Sequence, residues 1–250
     1  NVVNSTLPGY SLEDALASLP TLSITGSPAD FFGAPSGVYY NTGQRGLASE
    51  KVVSVEFFNP QQPSEQWQAE AGIRSHGNSS RDHGFTPKHP LRLYFRRSYG
   101  DPKLNEQVFP DSNITSFNRL LLRGASTDSW PVVDGPPRWV NEKGTYMRDA
   151  YMRQSMRDLG NLSGHSRYVH LFLNGLYWGL YEITERPEED FAASYLGGDP
   201  DEYDVIKDFA ELASGNRTAW DQLMAMANTN PSQLATDAGY WLVQGLNPDG

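Results

Sequence analysis

A glycine- and serine-rich stretch beside a lysine is the part of this sequence whose residue types could bind phosphate. It spans residues 77–90, GNSSRDHGFTPKHP, between two predicted strands. Backbone N–H groups of such a turn and a lysine ammonium both suit anionic oxygens. This hypothesis assigns phosphate binding to Gly77, Asn78, Ser79, Ser80 and Lys88. No Walker-type pattern is present. On spacing alone, a solvated hairpin loop with basic residues on its open face is the favoured alternative.

The distribution of charge supports an anionic ligand for this region but not for the whole chain. Residues 74–103 contain seven Lys and Arg against two Asp, whereas residues 185–211 contain ten acidic and two basic residues. The net charge of the 250 residues is −10, which argues against general binding to nucleic acid or to an anionic membrane.

A predicted helix over residues 146–159 carries an acid that could face inward. Asp149 lies three positions before Met152 and extends the apolar stripe that Met152, Met156 and Leu159 form. An inward carboxylate needs a cation, and Lys88 or an Arg of the strand over residues 92–97 is the candidate. Equally, Asp149 could be a first-turn acid favoured by the helix dipole.

Three other constellations support weaker hypotheses. His76, His83 and His89 are close in sequence, but their spacing fits neither one strand face nor one helix face, so polar loop residues are favoured over a metal site. The acids of residues 185–190 could serve a glycosidase, although an exposed corner is the simpler interpretation. Aromatic residues that could line a sugar-binding face, but more often build a core, are Tyr39, Tyr40, Trp67, Trp130, Trp139 and Trp178.

The elements that would position these residues are mostly strands. Asn174-Gly175 between two apolar runs predicts a hairpin with a type I′ turn, buried and central in its sheet. Further strands are predicted at residues 21–25, 51–58, 70–75, 91–97 and 117–123, and further helices at 11–19 and 218–228. We therefore expect an α+β fold in which the helix over residues 146–159 packs across one sheet. The sequence has no Cys and no apolar run long enough for a membrane span.

Several blocks, in this order, resemble the spore-coat CotH kinase family. They are residues 71–97 (AGIRSHGNSSRDHGFTPKHPLRLYFRR), 99–104 and 108–112, 120–130 (LLLRGASTDSW), 145–160 (TYMRDAYMRQSMRDLG) and 169–191 (VHLFLNGLYWGLYEITERPEEDF). The long-loop subtype of large exported bacterial proteins is the most similar. Residues 1–69 match only loosely.

The resemblance implies a fold similar to a protein kinase N-lobe, mostly antiparallel with one packed helix, followed by the start of a second helical lobe. Lys88 would be the nucleotide-phosphate lysine, Arg148 and Asp149 would face it from the helix, and Glu185 would stand at the hinge beside the adenine. The implied domains are an N-terminal extension (1–69), the N-lobe (70–191) and part of a second lobe (192–250). The implied cofactor is ATP with Mg²⁺ or Mn²⁺, and the implied substrates are Ser or Thr residues of exported proteins.

One departure from the family pattern limits this expectation. The family's catalytic and metal-binding Asp residues lie in later motifs that are absent here, so we expect them beyond Gly250 and expect the segment to be inactive alone. The chain also starts at Asn1 without an initiator Met, so we expect a mature or excised segment. The resemblance implies a secreted or cell-surface bacterial protein. The alternative function is a non-catalytic surface module that binds protein or polysaccharide.

Overall fold

The computed structural model describes residues 11–130, 143–207 and 210–229. The chain forms two compact units, Asn1–Pro187 and Glu188–Gly250. Trp139 therefore lies outside the described residues.

The described part of the first unit contains nine strands. They are β1 (Thr21–Thr25), β2 (Lys51–Phe58), β3 (Gln66–Ser75), β4 (Leu91–Tyr94), β5 (Leu104–Asn105), β6 (Ser116–Phe117), β7 (Arg119–Arg123), β8 (Ser166–Leu173) and β9 (Leu176–Thr184). Seven of them close into a barrel in the order β1-β2-β3-β4-β7-β9-β8, and β5 pairs with β6. Neighbouring barrel strands are antiparallel, except that β1 runs parallel to β8 and closes the ring.

The barrel interior holds the apolar core. On β2, Val53, Val55 and Phe57 are buried and alternate with outward residues, as the period of two requires. Inside, the rings of Phe57 and Trp67 stack with centroids 5.4 Å apart. This mostly antiparallel α+β unit confirms the fold class and is compatible with a kinase-like N-lobe.

The predicted hairpin is confirmed as β8 and β9. Asn174 and Gly175 have φ of +48° and +78°, as a type I′ turn requires. The Asn174 side chain also accepts a hydrogen bond from the Gly26 N–H at 2.9 Å, so the turn is tied to the end of β1. The expected burial holds only for part of the return strand, because Leu176 and Tyr177 are exposed and burial begins toward Tyr181.

Three helices complete the described part of the first unit: α1 (Leu12–Ala17), α2 (Pro28–Phe32) and α3 (Arg148–Asp158). Ser11 caps α1 as expected, through a capping box with Asp14. The predicted strand over residues 91–97 stops at Tyr94, and the one over residues 117–123 divides into β6 and β7.

The expected packing of α3 through its apolar stripe is wrong. Met152, Met156 and Leu159 are 57%, 41% and 76% exposed. Instead, Arg153 of α3 donates to the Glu182 carboxylate of β9, and Arg157 donates to the Gly164 carbonyl two residues before β8. The spacing of apolar residues shows that they share one face of a helix, but it does not show that this face is buried against the rest of the protein.

The second unit contains α4 (Glu189–Leu196), β10 (Val205–Ile206), β11 (Leu212–Ser214) and α5 (Thr218–Thr229). The predicted helix over residues 218–228 is confirmed as α5, whereas α4 was not predicted from the sequence. Within this unit Lys207 Nζ lies 3.5 Å from the Glu188 carboxylate. None of the helices in the described ranges is long and apolar enough to cross a membrane.

Candidate functional site

A cavity of about 540 Å³ opens where three segments of the first unit meet. The turn after β3, the loop after β7 and the first turn of α3 form its walls, and Glu182 of β9 contributes a carboxylate. Five of the eight residues proposed for nucleotide binding line it: Gly77, Ser79, Ser80, Arg148 and Asp149.

The turn after β3 brings backbone close to the cavity. Gly77 has φ of +103°, and a Cβ there would lie 2.0 Å from Ser80 Oγ, so a side chain would be strained and crowded. Arg81 anchors the turn, because its buried guanidinium donates to the Thr42 carbonyl at 2.5 Å. Asn78 is not a lining residue, and its side chain accepts from Arg45 at 3.1 Å.

Asp128, in the loop after β7, holds the start of α3. The Asp128 carboxylate accepts from the N–H of Thr145 at 2.8 Å and of Arg148 at 3.0 Å. Burial opposes ionisation of this carboxyl group, but these hydrogen bonds and the charge of Arg148 outweigh burial and lower its pKa. The helix N-terminus is therefore already bound by a carboxylate from the chain itself.

A chain of ion pairs joins α3 to β7 and β9. Arg153 contacts the Glu182 carboxylate at 2.5 Å and the Asp149 carboxylate at 3.0 Å, and Asp149 also pairs with Arg123. These carboxylates outweigh the burial of the guanidinium and raise the pKa of Arg153. The expected cation partner of Asp149 was Lys88 or an Arg of residues 92–97. That prediction is wrong, because β7 lies between β4 and β9 and presents Arg123 to the helix instead.

Lys88 lies next to the cavity rather than among its lining residues. Its ammonium is 4.8 Å from the ring centroids of both Tyr146 and Tyr181 and donates to the Leu180 carbonyl. Gly124 packs against its backbone and stem, and a Cβ at Gly124 would lie 2.7 Å from the Lys88 carbonyl oxygen. Burial lowers the pKa of Lys88 to about 8.

Glu185 is buried away from the cavity walls. Its carboxylate accepts from the His165 N–H at 2.7 Å and lies 3.1 Å from His165 Nδ1. This side chain therefore contacts the residue just before β8, and the position beside adenine that the resemblance implied stays a prediction.

The loop histidines separate into two places. His83 Nδ1 lies 2.9 Å from His89 Nε2, whereas His76 lines the cavity and its Nδ1 lies 2.9 Å from Arg92 Nη2. Across the described ranges, no group of three or more His, Asp or Glu side chains could hold a metal ion.

The aromatic residues considered for sugar binding do not share one face. Tyr39 and Trp67 are buried, and Trp178 packs edge-on against Tyr39 with centroids 4.9 Å apart. Tyr40 and Trp130 are exposed, and Trp139 lies outside the described residues.

Sequence reasoning missed four residues of the site: Asp128, Tyr146, Arg153 and Glu182. Arg153 had a readable signal, since a basic residue four positions after Asp149 is a common stabilising pattern in a helix. Asp128, Tyr146 and Glu182 had none, because their roles depend on segments distant in sequence.

The antiparallel barrel with its ion-paired helix and flanking cavity defines an α+β protein compatible with a kinase-like N-lobe. The family model described as CotH kinase protein matches residues 73–230, and the chain belongs to this family. A comparison with curated proteins found no match.

Proposed function

We propose that this chain is the nucleotide-binding portion of a CotH-like atypical protein kinase that transfers phosphate from ATP to Ser or Thr of exported or surface proteins. The cavity carries this proposal. It brings the Gly77 turn, the loop after β7 and Arg148 into one concave surface, although these segments are far apart in sequence. Membership in the family supports ATP as the nucleotide.

The lining of the cavity suits an anionic ligand with an uncharged part. Gly77, Ser79 and Ser80 offer backbone and hydroxyl groups, and Arg123 and Arg148 offer guanidinium groups. Phe85, Pro90 and Met152 supply apolar surface in the same cavity. Phosphate oxygens and a nucleobase need these two kinds of surface side by side.

The described carboxylates of the cavity do not fit a divalent cation. Asp128 accepts from backbone and pairs with Arg148, while Asp149 and Glu182 are bound by Arg153. A Mg²⁺ or Mn²⁺ ion needs carboxylate oxygens that are available for coordination. The proposal for this chain is therefore limited to holding the nucleotide, and we propose that it does not transfer phosphate alone.

Titration with ATP tests the binding step. We expect ATP to raise the melting temperature of the wild type, by roughly 5–10 °C at one hundred times the Kd. Lys88→Met should weaken this response, whereas Lys103→Met, which changes an exposed lysine that does not line this cavity, should not. If ATP raised the melting temperatures of the wild type and both variants equally, Lys88 would not be part of the nucleotide site. No response of the wild type would reject nucleotide binding.

Incubation with labelled ATP tests the second part of the proposal. With Mg²⁺ or Mn²⁺ and a Ser/Thr-rich acceptor protein, the isolated 250-residue chain should incorporate no label above a heat-denatured sample. Incorporation of label by this chain would show that it contains a complete catalytic site.

A module that binds polysaccharide is the second candidate, and one observation favours it. Trp130 is 66% exposed and lies edge-on to Tyr146 at the cavity, with centroids 5.2 Å apart. An exposed indole of this kind can stack on a sugar ring. Glycan-array binding that is lost in Trp130→Ala and kept in Lys103→Met would support this candidate.

A further inference from the structure

Tyr146 belongs to the cavity wall and to the surroundings of Lys88 at the same time. Its ring lines the cavity, and the centroid of that ring is 4.8 Å from Lys88 Nζ. Lys88 itself is not a lining residue. Access from the cavity to the ammonium therefore depends on where this ring lies.

The backbone fixes the ring in this place despite a local cost. Tyr146 has φ of +62°, a region that bulky L-residues rarely adopt and that costs about 1–3 kcal/mol. Its N–H donates to the Asp128 carbonyl at 3.0 Å, and its carbonyl accepts from the Tyr168 hydroxyl at 2.5 Å. Hydrogen bonds from two distant segments thus hold a conformation that the residue would otherwise avoid.

The Lys88 ammonium has aromatic rings where a lysine usually has water or a carboxylate. Tyr146 and Tyr181 both lie within cation–π distance. No carboxylate of the described chain lies within 4.0 Å of Nζ, and its hydrogen-bond acceptor is the Leu180 carbonyl. A lysine held in this way keeps its charge available for an incoming anion, because no acid neutralises it.

We propose that Tyr146 is a positioning residue that holds the Lys88 ammonium at the edge of the cavity and shields it from water in the nucleotide-free protein. The proposal rests on the proposed function, in which Lys88 meets a phosphate oxygen of the nucleotide. The ring then supplies the low-dielectric surface beside which a phosphate and an ammonium attract each other more strongly than in water.

The pH profile of Lys88 acylation tests this role without nucleotide. The free amine reacts with acetic anhydride, and mass spectrometry of the Lys88 peptide gives the midpoint of the profile. In the wild type, and in Tyr146→Phe, which keeps a ring, we expect a midpoint near 8. Tyr146→Leu should admit water and raise the midpoint by at least about 1 unit, a tenfold change in the protonation equilibrium.

Control variants distinguish the shielding of Lys88 by Tyr146 from a general loss of packing in the first unit. Tyr151→Leu removes an exposed ring of α3, the helix that follows Tyr146, and should leave the Lys88 midpoint unchanged. The midpoint of the exposed Lys103 should stay the same in every variant. If Tyr146→Leu does not fold, judged by circular dichroism, Tyr146→Met replaces it. A folded Tyr146→Leu or Tyr146→Met protein with the wild-type midpoint would overturn the proposal.

Adding ATP to the same assay tests the proposed function separately. Protection of Lys88 from acylation in the wild type would place the amine at the nucleotide. A lack of protection, together with a raised midpoint in Tyr146→Leu, would reject Lys88 as a nucleotide contact while the shielding role of Tyr146 stands.

Discussion

Arg153 of α3 and Glu182 of β9 lie 2.5 Å apart and join the helix to the barrel at the wall of the candidate site. Their side chains are 15% and 8% exposed, so both charges are largely removed from water. Removing one member of such a pair leaves the other charge unpaired, which costs more than the pair contributes. We therefore expect a single substitution in this pair to destabilise the protein more than a double substitution does.

Arg153→Met should destabilise the first unit by about 3 kcal/mol, because Glu182 loses the cation that pairs with it and Asp149 keeps only its pair with Arg123. Urea denaturation monitored by tryptophan fluorescence measures the change. The double variant Arg153→Met, Glu182→Gln should recover part of the loss. Lys51→Met, which removes a looser 3.7 Å pair with Asp30, should cost less than about 1 kcal/mol. Equal losses for Arg153→Met and Lys51→Met would contradict the structural role of the Arg153–Glu182 pair.

Asp128 should make stability depend on pH in the acid range. Its folded pKa is lowered, so its contribution is complete above the unfolded pKa of about 3.9 and is lost as the pH falls through the folded pKa. Asp128→Ala removes the carboxylate that caps α3 and should cost about 1–2 kcal/mol at pH 7. Urea titrations from pH 7 to pH 2 should show the difference from wild type shrinking below pH 4. A difference that stays constant to pH 2 would exclude the charged carboxylate as its cause.

Gly124→Ala should displace Lys88. The new Cβ would lie 2.7 Å from the Lys88 carbonyl oxygen, so backbone must move, at a cost of about 1–3 kcal/mol. The change should also weaken the response of the melting temperature to ATP. Gly43→Ala is the control, because its Cβ would meet only the Asn41 side chain, at 3.9 Å. The close contact would be disproved by equal stability of the two variants.

Asn174 has two roles at the hairpin turn, and two variants separate them. Asn174→Ala loses both the tolerance for φ of +48° and the hydrogen bond to the Gly26 N–H, and should cost about 1–3 kcal/mol. Asn174→Gly keeps the turn and loses only the hydrogen bond, so it should cost about 1 kcal/mol. Thermal unfolding measures both. If glycine were as costly as alanine, the backbone conformation would contribute nothing.

The parts of the fold that the sequence predicted are those that neighbouring residues specify. Asn174-Gly175 dictates a turn, alternation over residues 51–58 dictates a strand, and Ser11 with Asp14 dictates a cap. The closing of the barrel could not be predicted in this way, because the parallel pairing of β1 with β8 depends on segments that no local pattern connects.

The candidate site likewise contains residues that local sequence predicted and residues whose surroundings depend on distant segments. The Gly77 turn was predicted from residue types, and the structure places Gly77, Ser79 and Ser80 in the cavity wall. The surroundings of Lys88 were not predictable, because they depend on the unusual backbone of Tyr146 and on a hairpin about ninety residues later. The partner of Asp149 was wrong for a similar reason: strand order, rather than sequence distance, decides which arginine a helix meets.

The parallel pairing of β1 with β8 also constrains the order in which the unit can fold. Thr21 pairs with His170, 149 positions later, so the ring is closed by one of the longest-range contacts in the unit. Contacts of high sequence separation slow folding, because the loop-closure entropy must be overcome before they form. A chain emerging from the ribosome has open sheet edges at β1 and at its newest strand until β8 and β9 are both synthesised. Glu182, which completes the cavity wall, lies on β9, the last of these strands. Barrel closure and the assembly of the candidate site should therefore be one late event in folding.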